Sequence, residues 1–216
     1  MEQSLVLLKP DAVLRRVVSV RVLESFLEKG FGIENFLELQ VSEDLAERHY
    51  AEHKDKPFFP GLKAYITLCP VVAMVVTGSG IIQTIREMAG ATMANKASAE
   101  TIRGKYGIWG GVNVIHASDS SESAKREIKL WRSNTSLGKS KGYENAEKYV
   151  SEWSPKIDLD LTPKLREACK KLSENHNLVK TVRQQIRDYL LAENPYTNKK
   201  QLTGLEDAIV NAVLET

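Results

Sequence analysis

The residues of this 216-residue chain whose types and spacing could do chemistry are few: four histidines, two cysteines and a handful of separated cations. His116 follows Val112-Asn113-Val114-Ile115, an apolar run that predicts a short strand ending at the histidine. A neutral imidazole is a competent nucleophile near neutral pH, and a carboxylate or hydroxyl can fix its tautomer and orientation. Ala-Ser-Asp-Ser comes next, then a predicted helix that carries Glu127. Lys9 ends the first predicted strand and Arg86 lies near the end of a helix. Thr92 and Arg103 sit in a Gly/Ala-rich stretch where Gly90 would let the chain approach a ligand closely. Cations so placed could clamp a polyphosphate while its charge is redistributed. They could equally be surface ion pairs worth little each, and His116 taken alone could be structural. His49 and His53 are four apart on a predicted helix, which is metal-ligand spacing. No third ligand stands near them in the sequence, so the expectation is a solvated helix face. His176, between two asparagines, reads as a surface residue. Cys69 and Cys169 lie far apart in apolar patterns and read as buried free thiols.

Composition narrows the setting. Lys plus Arg is 30 against 28 Asp plus Glu, and the net charge of +2 gives no bulk attraction to nucleic acid or to a membrane. No apolar run approaches the roughly 20 residues needed to span a bilayer. The start, Met1-Glu2-Gln3-Ser4, lacks the basic segment of a signal peptide. The expectation is a cytoplasmic protein with no membrane and no nucleic-acid partner. At roughly 150 residues per domain the length is about one and a half domains.

The elements that must position these residues can be read from periodicity. Ser4–Leu8 predicts a buried strand with its exit turn at Lys9-Pro10. Val13, Val17, Val20, Leu23, Phe26 and Leu27 recur at helical spacing until Gly30. Leu37, Leu39 and Val41 alternate as a half-buried strand. Ser42 starts a short helix, Val71–Val76 is a central strand, and Ile81–Met88 and Glu122–Trp131 are helices. Residues 133–142 read as a linker or surface loop. Beyond them come three apolar stripes: Leu161 to Leu172, Val179 to Leu190, and a last one opened by a Thr203–Glu206 capping box. This order suits either an antiparallel β-α-β-β-α-β sheet or a doubly wound parallel one, and periodicity does not choose between them.

Five segments do choose. They are Leu-Lys-Pro-Asp (8–11), His-Tyr-Ala-Glu-His-Lys-Asp-Lys-Pro-Phe-Phe-Pro-Gly-Leu (49–62), Gly-Ala-Thr (90–92), Thr-Ile-Arg-Gly (101–104) and Asn-Val-Ile-His-Ala-Ser-Asp-Ser (113–120). In this order and at these spacings the chain resembles the nucleoside diphosphate kinase family over about residues 3–132. The resemblance implies a ferredoxin-like α+β fold for residues 1–136, with residues 137–216 as an all-α extension packed on the core or on a neighbouring subunit. It implies ping-pong transfer of the terminal phosphoryl of a nucleoside triphosphate to a nucleoside diphosphate, with ATP as a donor and Mg²⁺ carried by the nucleotide phosphates. His116 would be the nucleophile, Ser118 and Glu127 would hold its ring, and Tyr50 would add a hydroxyl beside it. Lys9, Arg86, Thr92 and Arg103 would bind phosphates, and Lys9 and Asn113 would reach the ribose. Phe58 would stack on the base, with Leu62 and Val112 lining the other side. A homo-oligomer is implied too.

The chain departs from the family pattern in four ways. Ala12 and Ala117 stand where the family usually has Gly, and they would be strained if those positions need positive φ. Met93-Ala94 replaces a usual Asn-Pro, and Val112 replaces a common Arg. The fourth departure is the extension, whose 13 basic and 12 acidic side chains make it no polybasic tail. A catalytically idle scaffold with the extension as its working part is the alternative. It is disfavoured because every side chain the chemistry requires is present.

Overall fold

Strands β1 (Glu2–Leu8), β2 (Gly32–Leu39), β3 (Val71–Gly78) and β4 (Ile115–Ala117) form one antiparallel sheet in the order β2-β3-β1-β4. This is the ferredoxin-like order expected above. The structure is a computed structural model and describes residues 1–156, 158–195 and 197–215. The uncharged run Val71–Val76 is fully buried because β3 has neighbours on both edges and helices against the sheet. β4 is short, and its pairing of His116 with Leu7 fixes where the imidazole sits.

The helices are α1 (Pro10–Leu14), α2 (Arg16–Glu28), α3 (Glu43–His49), α4 (Phe59–Ile66), α5 (Ile81–Ala89), α6 (Ile102–Tyr106) and α7 (Ser121–Asn134). After these come α8 (Tyr143–Trp153), α9 (Thr162–Glu174), α10 (Val179–Glu193) and α11 (Lys199–Leu214). Ser42 caps α3 by accepting the Leu45 N–H. Ser120 and Ser123 form a reciprocal capping box on α7, which fixes the start of the helix that carries Glu127.

Several expectations are corrected. The helix read through Val13–Leu27 is broken at Arg15 (φ −92°, ψ 75°), which separates α1 from α2. The strand read over Val112–Ile115 lies three residues later. A turn with Gly110 at φ 50° pairs Trp109 with Val112, and Val114 takes φ 73°, so neither can extend β4. Residues 133–142 are no free linker. Leu137 is buried, and Ser140 lies along the outer edge of β2, where its Oγ accepts the Phe36 N–H and its carbonyl accepts from Asn35 Nδ2. Asn145 Nδ2 donates to Phe36 O, so the exposed ladder of the edge strand is occupied by the chain's own continuation. A Cβ on Gly142 would sit 1.9 Å from Ile33 O, which only glycine avoids. Thr203 and Glu206 lie inside α11, which Asn198 caps instead. Glu206 is buried and accepts from Arg183 and Arg187.

Two apolar clusters result. The first holds the sheet, α2, α5, α7 and the inner face of α8. The second joins α9, α10 and α11 to Leu14, Tyr65, Cys69, Ile108 and Val112 of the preceding chain. Leu165, Leu172, Ile186, Leu190, Leu205 and Ile209 are fully buried there, at about 1.5–3 kcal/mol for each such side chain. Cys69 and Cys169 are buried free thiols.

Between the clusters lies Arg15, with no exposed surface. Its Nε and Nη2 donate to the two oxygens of Glu193 at 2.6 and 2.9 Å, and Nη2 also reaches Thr162 Oγ1 and Asp160. Its Nη1 donates to Tyr106 O. Removing one partner of a buried pair strands the other charge. Glu193→Ala is therefore expected to lower unfolding free energy by about 3–5 kcal/mol in urea denaturation. A loss under about 1 kcal/mol, the worth of a surface pair, would contradict this account of Arg15.

Candidate active site

The site is built where β1 ends beside β4. The lysine that ends β1 and the histidine of β4 are joined through one strained residue. Val114 has φ 73°, a conformation β-branched residues rarely adopt and that costs on the order of 1–3 kcal/mol. It is held from two sides: its carbonyl accepts the Lys9 N–H at 2.8 Å, and its N–H donates to Asp11 Oδ2 at 3.0 Å. Asp11 is fully buried, and its other oxygen accepts the Tyr65 hydroxyl. Burial pushes its carboxyl up, against Tyr65, Lys9, Arg15 and the Val114 amide, which favour the charge. The Lys-Pro-Asp segment thus fixes the bend that lets Asn113 and His116 serve one cleft. Ala12 and Ala117 are not at positive φ, so no strain replaces the expected glycines there.

His116 Nε2–H donates to Glu127 Oε2 at 3.2 Å, and Ser118 Oγ–H donates to the same oxygen at 2.6 Å. Ser118 Oγ in turn accepts the Leu5 N–H. This relay assigns the proton of His116 to Nε2 and leaves the Nδ1 lone pair free. Glu127 reaches the ring because α7 lies against β1 and turns Glu127 inward beside Ile128 and Trp131.

The expectation of a solvated His49 is wrong. His49 is buried, with its ring centroid 4.6 Å from that of His116. Trp131 Nε1–H donates to His49 Nδ1 at 3.2 Å, a long-range pair that no spacing along the chain signals. Burial, then His116, Lys9, Arg126 and His53, holds the His49 imidazole well below the usual histidine range, so it is neutral. One ligand-type atom each of His49, His116 and Glu127 lies within 4.8 Å of the other two. The Trp131 bond occupies the Nδ1 lone pair of His49 and puts its proton on Nε2, so His49 has no lone pair to give a metal. His53 lies apart from this group, half exposed and near Phe58.

Lys9 Nζ donates to Asn113 Oδ1 at 2.8 Å, and Asn113 Nδ2 donates to Thr92 O at 2.6 Å, which ties the first strand to the Gly90 loop. Arg103 Nη1 and Nη2 donate to Gly90 O and Ile115 O at 2.7 and 2.9 Å. Gly90, at φ 80°, packs so closely on Thr101 that a Cβ would lie 2.3 Å from its Oγ1; the close approach read from the sequence is therefore to Thr101. Burial and Arg103 bring Lys9 down to about 8, against Asp11. Burial and Arg86 bring Arg103 down to about 10. Arg86 is exposed on α5. Arg86 thus bears on Arg103 and Arg103 on Lys9, and cations set this close together are the signature of a cleft shaped for an anion. Among the described residues, the buried side-chain polar atoms without a partner are His49 Nε2, Tyr50 Oη and Arg103 Nε, and all belong to this site. Tyr50 lies with its ring 6.2 Å from His116.

Phe58 is 48% exposed, an aromatic face left open at the mouth, and Leu62 beside it is partly buried. Thr92 is exposed, with its carbonyl engaged by Asn113. Val112 is 3% exposed and buried in the second apolar cluster. A base would meet little of it, unlike Phe58.

A family model described as nucleoside diphosphate kinase matches residues 2–137. The chain is 53% identical over 131 residues to a nucleoside diphosphate kinase of Methanothermobacter thermautotrophicus, covering 61% of this chain and 87% of that one. It is 49% identical over 131 residues to one of Thermus thermophilus, covering 61% and 95%. Among solved structures it resembles a halophilic nucleoside diphosphate kinase from Halobacterium salinarum in complex with CDP (TM-score 0.58, 41% identity, 60% of this chain and 86% of that chain). It also resembles the Aquifex aeolicus nucleoside diphosphate kinase (TM-score 0.57, 35% identity, 60% and 93%).

The support of Val114 by Asp11 is testable by itself. Asp11→Ala leaves the Val114 N–H and the Tyr65 hydroxyl unpaired, at about 1–3 kcal/mol for each buried group. The variant is expected to unfold at clearly lower urea concentration, with amide shifts concentrated between Asn113 and His116 in NMR spectra. Unchanged stability would show that the bend holds itself.

Proposed function

The chain belongs to the nucleoside diphosphate kinase family and transfers the terminal phosphoryl of a nucleoside triphosphate to a nucleoside diphosphate; we propose that it does so by ping-pong through Nδ1 of His116. The observation that carries this reading is one imidazole with Nε2 pinned by Glu127, on a strand end where Arg103 donates to the Ile115 carbonyl next to it and lies close enough to Lys9 and Arg86 to interact with both.

In the first half-reaction the Nδ1 lone pair attacks the terminal phosphorus of ATP. The N–P bond forms as the bond to the bridging oxygen breaks, and that electron pair leaves on the diphosphate. Glu127 stabilises the positive charge that grows on the ring, and Ser118 holds Glu127 in place. The charge of the loose transition state lies on the equatorial oxygens, where Arg86 and Arg103 would meet it. Lys9 would take the charge arriving on the leaving diphosphate, and the Tyr50 hydroxyl would donate to the transferred group. The second half-reaction reverses these steps with another diphosphate as acceptor. One set of contacts then serves donor and acceptor alike.

The nearby buried carboxylates, Glu127 and Asp11, are already engaged with His116, Ser118, Tyr65 and Val114. Mg²⁺ therefore enters as part of the substrate, bound to the nucleotide phosphates. Lys9 and Asn113 would exchange their mutual hydrogen bond for the ribose hydroxyls, and Thr92 would join the phosphate contacts. Phe58 would stack on the base with Leu62 beside it, and Val112 would add only its small exposed edge. Stacking tolerates any base because every base has a π face.

Residues 137–216 are taken as a helical extension of a catalytic domain spanning 1–136. The buried thiols Cys69 and Cys169, each pushed up to about 12 by burial, suit a reducing cytoplasm. No helix among the described residues is long and apolar enough to cross a membrane. Assembly into a homo-oligomer rests on the family resemblance alone.

Incubation with terminally labelled ATP should yield an acid-labile phosphoenzyme that His116→Ala abolishes. Label persisting in that variant would overturn the assignment. Arg103→Ala should fold normally and transfer about 10²–10³-fold more slowly; equal rates would remove Arg103 from the clamp.

A further inference from the structure

Arg103 is carried by α6, a helix of five residues. A helix this short cannot sustain itself, because nucleation costs more than its few internal bonds return. Its start is fixed by Thr101, whose Oγ1 accepts the Gly104 N–H and donates to Ser98 O. At its end the Gly107 N–H closes on Arg103 O at 3.0 Å, and the carbonyls that follow need donors, which come from outside the helix together with a second bond to Arg103 O. Arg166, in the second turn of α9, donates from Nη2 to Arg103 O, from Nη1 to Gly104 O and from Nε to Gly107 O, at 2.7, 2.6 and 2.7 Å. Arg15 supplies Tyr106 O. Two guanidinium groups thus donate to four carbonyls, of Arg103, Gly104, Tyr106 and Gly107, at the negative end of the helix dipole.

The same residue is held at both ends. Arg166 holds the Arg103 backbone, and the Arg103 guanidinium holds Gly90 O and Ile115 O, the latter one residue before His116. Arg103 stands against the repulsion of Arg86 and Lys9 with no carboxylate partner at its side chain among the described residues. Two carbonyls hold the guanidinium, and its aim depends besides on the backbone that carries it. Residue 166 lies beyond the family match, which ends at residue 137. We propose that Arg166 of the C-terminal extension is a positioning residue for phosphoryl transfer, acting by locking the end of α6 so that Arg103 is aimed at the transferred phosphate. The proposal rests on the reading of Arg103 as a phosphate clamp. It makes the extension a working support of the catalytic site.

The test is a double-mutant cycle in the full-length chain, read as the single-turnover rate of phosphoenzyme formation at saturating ATP. Arg166→Ala is expected to slow this step on the order of ten- to a hundredfold, the effect of a misplaced catalytic group. Arg166→Lys keeps the charge and the stem but not the three-pronged geometry, and it should fall between the two. It also decides the matter if the alanine variant does not fold. In an Arg103→Ala background either Arg166 substitution should slow the step no further, because coupled residues are not additive. A general loosening of the fold would slow both backgrounds by the same factor. Such an additive result, or wild-type rates in both Arg166 variants, would overturn the proposal. Wild-type rates in Arg103→Ala alone would instead overturn the clamp reading, and the proposal with it.

Discussion

Like charges must be held close together, Arg103 beside both Lys9 and Arg86, and this electrostatic constraint shapes the rest of the site. Desolvation lowers the proton affinity of Lys9 and Arg103, and a neighbouring cation adds to it in each case, Arg103 at Lys9 and Arg86 at Arg103. Neutral groups hold them in place: the Asn113 amide on Lys9, and the carbonyls of Gly90 and Ile115 on Arg103. A carboxylate in those places would bind the cations more tightly and then compete with the incoming phosphates. Dipoles fix position without cancelling charge, so the field is kept for the substrate, where preorganised groups lower a transition state most.

Holding repelling groups requires a rigid backbone. The Lys-Pro-Asp segment contributes through its aspartate as much as its lysine. Asp11 touches no cation of the cleft within salt-bridge distance, but it carries the N–H of the strained Val114 and so sets the angle between Asn113 and His116. The extension contributes from the other side. Arg15 and Arg166 both donate to the end of α6, and Arg15 is neutralised by Glu193 and Asp160 from beyond residue 137. Apolar burial in the second cluster joins α9, α10 and α11 to Leu14, Tyr65, Cys69, Ile108 and Val112, and the charged network between the clusters fixes their register.

The catalytic core was largely legible in the sequence because its signals are local. Residue spacing placed the strands β1 and β3 and the helix bearing Glu127. Motif order brought His116, Ser118 and Lys9 into one reading; in the structure Glu127 links His116 to Ser118, and Lys9 reaches Asn113, three residues before the histidine. The errors share a physical origin in pairs distant along the chain. His49 looked like a surface residue because its partner Trp131 lies 82 positions away. Arg15 looked like an ordinary position in a helix because Glu193 is 178 positions away. Residues 133–142 looked like a linker because their polar groups serve the open edge of β2 rather than solvent. The shift of β4 came from a positive φ at a valine, which no propensity anticipates.

The most direct measurement of the central constraint is the titration of the Lys9 ammonium itself, followed by carbon-13 NMR of its side chain with and without a non-hydrolysable nucleoside triphosphate. In the free protein the midpoint should fall near 8, well under the ordinary lysine value of 10.5, and bound phosphates should raise it. A midpoint at the ordinary value in the free protein, or one that bound nucleotide leaves unmoved, would contradict the picture of an uncompensated cationic cleft.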